Sequence, residues 1–172
     1  MKRKSNGRSP VCTLCSALGT ALLMVLILLC IPFTLPGFMG YKAYTVVSGS
    51  MEPGIPTGSL VYIKDMEPED VETGHVIAYY GGRDTNVIIT HRVVENRVTK
   101  GEFITKGDAN RTEDMNPVSY DHFLGRVELS IPKLGVAAQI MTGREGKTAA
   151  VCVIGLAIVL HMIAAVLGRE KS

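Results

Sequence analysis

Ser50 stands in the run Val47-Ser48-Gly49-Ser50-Met51-Glu52-Pro53, where Gly49 lets the backbone come close to a ligand. A serine hydroxyl is a weak nucleophile at neutral pH and attacks only when a base within hydrogen-bond reach takes its proton. His91, in Ile88-Ile89-Thr90-His91-Arg92-Val93-Val94, is the first candidate base, because an unperturbed imidazole, with a pKa of about 6.5, is available in neutral form at physiological pH. A third group must hold one imidazole tautomer and stabilise the imidazolium, the part an aspartate plays in a Ser-His-Asp triad. Asp108 and Asp114, in the run Lys106-Gly107-Asp108-Ala109-Asn110-Arg111-Thr112-Glu113-Asp114, are the available carboxylates. The chemistry such a set would do is attack by the Ser50 hydroxyl, with nearby donors receiving the oxyanion. Lys64, Lys100 and Lys106 offer a second reading, since a desolvated lysine can serve as base to the same serine. His75, His91 and His122 show no ligand spacing of the His-x-x-x-His kind, so no metal or other cofactor is expected.

These residues need a scaffold, and the middle of the chain supplies β signals. Short β-branched and aromatic runs recur at Tyr44–Val47, Leu60–Lys64, His75–Tyr80, Val87–Asn96, Glu102–Lys106 and Gly125–Leu129. Gly54, Gly58, Gly74, Gly81, Gly82 and Gly101 punctuate them as turns, and no amphipathic helical period of useful length intervenes. A mainly β domain is expected over residues 40–143. His91 then rides a strand, while Ser50 and both aspartates lie on connections.

The 172 residues are 47% hydrophobic with no Trp, and two uncharged stretches account for the balance. One runs from Ser9 to Tyr41 and the other from Thr148 to Gly168, each long enough at about 1.5 Å per residue to cross roughly 30 Å of hydrocarbon. Transmembrane helices are expected over residues 11–35 and 148–168, with Pro32 and Pro36 marking where the first gives up helical geometry. Lys2, Arg3, Lys4 and Arg8, without an acid among them, make residues 1–10 a basic cytoplasmic tail. That tail sends the β domain outside and returns residues 169–172 to the cytoplasm. The first stretch reads as an uncleaved anchor, because Thr34-Leu35-Pro36-Gly37-Phe38-Met39-Gly40 offers no small-x-small cleavage site. Cys12, Cys15, Cys30 and Cys152 all fall in or beside the spans, so the outer domain has no disulfide and no thiol nucleophile. A net charge of +2 spread among interspersed acids leaves no footprint for nucleic acid.

Taken together, the order and spacing of these runs resemble the type I signal peptidases, from the first anchor to about Ile140. The closer likeness is to the branch of the endoplasmic-reticulum, archaeal and minor Gram-positive enzymes. Ser48-Gly49-Ser50-Met51-Glu52-Pro53 matches the family's nucleophile box, and Gly74-His75-Val76-Ile77 resembles the next strand box, with His75 where an acid is common. Thr90-His91-Arg92-Val93 has histidine where many bacterial members place lysine, and Lys106-Gly107-Asp108-Ala109-Asn110 followed by Asp114 matches the Gly-Asp-x-Asn box.

The resemblance implies a signal-peptidase-like β fold as an extracytoplasmic catalytic domain flanked by two transmembrane α-helices. It implies a membrane-bound serine endopeptidase that removes signal peptides from secretory preproteins after Ala-x-Ala, with Ser50 as nucleophile and His91 as general base. Asp114 is favoured as the orienter of His91 and Asp108 as a second essential or structural acid, although sequence does not separate the two roles. The oxyanion would rest on the Ser50 N–H and the Ser48 hydroxyl. The implied partners are the preprotein, the lipid bilayer and the protein-export translocon. The alternative is a membrane-tethered binding or assembly module that keeps the fold without turnover.

Overall fold

A computed structural model describes residues 10–82 and 87–169. The basic tail expected at residues 1–10 lies outside the described residues except for Pro10, as does the closing tail at 169–172 except for the backbone of Arg169. The described residues divide into two compact units, one within residues 10–32 and 140–169 and the other within residues 33–139.

The helical unit rests on α1 (Pro10–Phe38) and α3 (Arg144–Arg169), both long and apolar enough to cross a membrane. Their large apolar side chains are mostly exposed, Leu28 at 58% and Val151 at 69%, as faces that need lipid rather than water would be. Where the two helices meet, small residues bring the backbones close. A Cβ on Gly19 would lie 2.5 Å from the His161 ring, Ala157 is fully buried, and the Cys12 thiol donates to the Ala164 carbonyl at 3.0 Å. Small residues at the contact are the expected currency of helix packing in lipid, where no hydrophobic drive exists between helices. α1 continues to Phe38, through both prolines at which it was expected to end. A proline forfeits one helical hydrogen bond, and near a helix end that loss does not stop the last turns.

The second unit is built on one seven-stranded antiparallel sheet. Its strands are β1 (Tyr41–Thr45), β2 (Leu60–Lys64), β3 (Val76–Tyr80), β4 (Ile88–Arg97), β5 (Glu102–Lys106), β6 (Val118–Ser119) and β7 (Phe123–Ile131), in the order β1-β2-β7-β3-β4-β5-β6. Leu60–Lys64 and Glu102–Lys106 fall on the expected residues. The first strand starts earlier, at Tyr41 opposite Lys64, and stops at Thr45. Val46 nevertheless stays tied to the same partner segment, its N–H donating to the Ser59 carbonyl and its carbonyl accepting from Gly58. β7 must pass close to β2 at Gly125, which sits at φ +138°, and a Cβ there would run into the Lys64 carbonyl. Past β7 the chain forms a short helix, α2 (Leu134–Thr142).

Three apolar clusters hold the sheet. The largest gathers Val71, Ile77, Tyr79, Val93, Phe103 and Val118. Phe103, fully buried, packs its ring 4.8 Å from Tyr120 and 5.4 Å from Phe123 between centroids. A second cluster, Val46, Met51, Ile55 and Val61, lies directly under the Ser50 segment. The third gathers Leu60, Tyr62 and Ala138. Phe103→Ala removes a ring that neither neighbour can replace and should cost about 3–5 kcal/mol. The β circular-dichroism transition of the detergent-solubilised chain reports it as a lowered unfolding midpoint, and a midpoint equal to wild type would contradict this account of the core.

Candidate active site

Ser50 leads into a side chain that the fold cannot release. Met51 is 1% exposed within the second apolar cluster, and the turn closes behind it through Ile55 N–H to the Met51 carbonyl, 2.7 Å. Glu52 accepts from the Thr57 N–H at 3.3 Å and from its hydroxyl at 3.0 Å. The Ser50 carbonyl in turn accepts from Ala109 N–H at 2.9 Å. The Ser50 loop is thereby joined to the Gly107–Asn110 turn that carries Asp108. Ser50 remains only partly buried, and its hydroxyl lies 3.4 Å from that of Ser48.

His91 sits on β4 with alternate neighbours turned inward, Val93 among them. It is 8% exposed, and its Nδ1 lies 2.6 Å from Asp114 Oδ2. With the carboxylate ionised, Nδ1 carries the proton and donates it, which leaves Nε2 as the basic nitrogen. Asp114 comes from the irregular stretch between β5 and β6, anchored by its own N–H to the Thr105 carbonyl at 2.9 Å. Its Oδ2 accepts two further bonds, from the Thr105 hydroxyl at 2.6 Å and from the Tyr79 hydroxyl at 3.4 Å. Burial, together with the charge of Asp114, pushes the Tyr79 phenol up to about 12. Tyr79 therefore stays a protonated donor throughout the working range of an imidazole base.

Asp108 occupies a different place. Its carboxylate accepts a two-point bond from Arg92, Nε at 2.8 Å and Nη2 at 2.7 Å, while Arg92 Nη1 reaches the Gly74 carbonyl at 2.7 Å. Alternation along β4 sends Arg92 to the face opposite His91. The bonds to Asp108 raise the pKa of the Arg92 guanidinium above its usual value. The fork joins the Asp108 turn, β4 and the Gly74 turn, and Gly54 completes the fit, since a Cβ there would stand 2.6 Å from Asp108 Oδ2. Among the residues expected to do chemistry, then, Asp114 meets His91 and Asp108 meets Arg92.

Ser50, Ser48 and His91 line one groove of about 660 Å³, walled by Tyr44, Val46, Val61, Ile63 and Ile89. The Ser50 hydroxyl and His91 Nε2 make no direct hydrogen bond among the described residues. The Ser50 carbonyl and His91 Nε2 both approach Gly107, where a Cβ would sit 2.6 Å from the first and 3.0 Å from the second. Lys64, Lys100 and Lys106 do not line this groove. His75 turns instead to Arg126, 3.2 Å away, and to the Glu72 N–H at 3.1 Å. Among the described residues no three His, Cys, Asp or Glu side chains are grouped to hold a metal ion. Sequence reasoning missed Thr105, Tyr79 and Arg92. Arg92 had a signal in its place beside His91, whereas Thr105 and Tyr79 come from separate strands and carry none.

No family model matches the chain. Among known proteins, signal peptidase I W of Bacillus subtilis is 42% identical over 89 residues, covering 49% of this chain and 45% of that protein. The signal peptidase complex catalytic subunit SEC11 of Komagataella phaffii is 30% identical over 126 residues, covering 64% of this chain and 71% of its own. The corresponding SEC11C subunit of Rattus norvegicus is 30% identical over 127 residues, with 67% and 65% covered. This chain thus spans less than half the length of the Bacillus relative.

The close approach at Gly107 generates a sharp expectation. Gly107→Ala adds one methyl between the Ser50 carbonyl and the His91 ring, so if Ser50 is a nucleophile with His91 as its base, hydrolysis should fall at least about tenfold, an increment of roughly 1.4 kcal/mol in the barrier. The unfolding midpoint is measured alongside, and full activity in a folded variant would show that the two loops have room to spare.

Proposed function

The chain belongs to the type I signal peptidase family, and on that premise we propose that it is a membrane-bound serine endopeptidase that removes signal peptides from exported preproteins. The observation that carries the reading is the His91–Asp114 pair, 2.6 Å apart, bordering the same groove as Ser50.

In the proposed reaction Ser50 Oγ attacks the carbonyl carbon of the scissile bond as its proton passes to His91 Nε2. Asp114 holds the Nδ1 proton and stabilises the imidazolium. The oxyanion rests on the Ser50 N–H and the Ser48 hydroxyl, a role that the 3.4 Å separation of the Ser48 hydroxyl from Ser50 Oγ supports. Collapse breaks the carbon–nitrogen bond, and His91 returns the proton to the leaving amine. Water then repeats the attack on the acyl-serine, with His91 again as base, and frees the signal peptide. Asp108 is assigned a structural part, holding the base strand and the nucleophile loop through Arg92.

Substrate alignment follows from the strand pairing. β4 meets β5 only from Arg92 onward, opposite Lys106, while Ile88–His91 pair β3 on one side alone. The open edge of Ile88–His91 and the Thr45–Ser48 segment both line the groove. An extended peptide added there is held by main-chain hydrogen bonds, with alternate side chains presented to the walls. Walls formed by Tyr44, Val46, Val61, Ile63 and Ile89 suit small apolar side chains such as the alanines of Ala-x-Ala.

The basic residues 2–8 favour a cytoplasmic N-terminus. That places two spans in the cell membrane with the catalytic domain outside, where a signal peptide leaves the bilayer and the translocon delivers it. The bilayer and the preprotein are thus the partners. A binding module would have no use for an imidazole between a carboxylate and a serine-lined groove, which disfavours that alternative.

The test is cleavage of an Ala-x-Ala preprotein by the purified full chain in detergent. Wild type should cleave and Ser50→Ala and His91→Ala should not, whereas Ser48→Ala should retain activity reduced by roughly 10²–10³, the value of one oxyanion donor. Survival of His91→Ala would favour a lysine base, and an inert wild type would favour the binding module.

A further inference from the structure

Asp114 belongs to a stretch without regular secondary structure, and its side chain is 21% exposed. A carboxylate so placed has water to bond and rotamers to visit, and each costs alignment with His91. The residues beside it lie on paired strands. Register sets Ile77 of β3 and His91 of β4 opposite one another, and Val93 of β4 opposite Thr105 of β5. Side chains two apart on a strand share a face, so Tyr79, His91 and Thr105 lie on one face of three neighbouring strands, with His91 in the middle. From either side of His91 a hydroxyl reaches the same atom, Asp114 Oδ2.

We propose that Thr105 is a positioning residue of the catalytic relay, its hydroxyl fixing the Asp114 carboxylate at the one oxygen that bonds His91, with Tyr79 as a weaker second support. This deepens the protease reading and rests on it. Thr105 is 1% exposed, so its hydroxyl has no water to prefer, and β-branching restricts its χ1. It grips Asp114 twice, by carbonyl to the Asp114 N–H at 2.9 Å and by hydroxyl to Oδ2 at 2.6 Å. The second distance equals that of the His91–Asp114 bond itself. Tyr79, at 3.4 Å from both Asp114 Oδ2 and His91 Nδ1, closes the other side. A buried hydroxyl needs some acceptor in any case, so the bland account is that Thr105 is merely satisfied by a convenient carboxylate. The two accounts differ in what removing the donor does to turnover.

The experiment compares wild type, Thr105→Val, Thr105→Ser and Tyr79→Phe as full chains in detergent, with kcat and KM for an Ala-x-Ala preprotein and the circular-dichroism midpoint for each. Thr105→Val keeps shape without the donor and should lower kcat by at least about tenfold with KM within about twofold, the signature of an interaction needed in the transition state. Thr105→Ser restores the donor and should return kcat to within about threefold of wild type, while Tyr79→Phe should lose less than Thr105→Val, as its longer bond implies. Should Thr105→Val not fold, Thr105→Ala, which likewise lacks the donor, carries the same expectation. Wild-type kcat in folded Thr105→Val or Thr105→Ala overturns the proposal, as do equal losses in the Val and Ser variants, which would report packing. An inert wild type overturns the protease reading itself, and this assignment with it.

Discussion

Everything in the site is arranged around one hydrogen bond, from His91 Nδ1 to Asp114 Oδ2. An imidazole on a strand is fixed by the sheet, but it becomes a directed base only if its proton is held on the far nitrogen, so that the near one faces the serine. The donor to that bond is built into β4, and the acceptor arrives on an irregular segment. Much of the surrounding structure can be understood as fastening that segment. The Thr105 carbonyl and hydroxyl seize its end, and the Ala109 N–H ties its beginning to the Ser50 carbonyl. Asp108 pins it to β4 through Arg92.

The two aspartates illustrate how strand alternation divides labour between neighbours. His91 and Arg92 are consecutive and must face opposite sides of β4. The carboxylate on the inner side meets an imidazole in partial burial, where a hydrogen bond is electrostatically strong and its loss costly. The one on the outer side meets the Arg92 guanidinium, and the two-point fork fixes its direction. A single dipeptide thus connects the chemistry of one loop to the support of another. The open stretch of β4 before Arg92 fits the same logic, because a β5 extended to cover it would occupy the edge proposed for substrate.

A good part of this was legible from the residues. Leu60–Lys64 and Glu102–Lys106 are compact β-branched runs bounded by Gly58 and Gly107, and the structure keeps their limits. Both long helices announce themselves by apolar length, yet their ends do not. Pro32 and Pro36 signal a stop that a terminal helical turn tolerates, and residues 134–142 are too short to show a period before they form α2. Val118–Ser119 is a strand of two residues, visible only once Phe103 and Glu102 are there to pair with it. Ser50, His91 and the aspartates were legible as types in order. Which aspartate meets the histidine depends on the register of β4 against β5, and the parts of Thr105 and Tyr79 depend on three strands being side by side. Such facts belong to tertiary structure and have no local signal.

The central claim is that Ser50 becomes covalently acylated with His91 as the base that drives it. Acid-quenching the full-length protein during turnover of an Ala-x-Ala preprotein, followed by peptide mass spectrometry, tests it most directly. The account predicts the signal-peptide acyl group on Ser50 in wild type and its absence in His91→Ala. Turnover with no acyl group on Ser50, or an acyl group that still accumulates at the wild-type rate in His91→Ala, would contradict it.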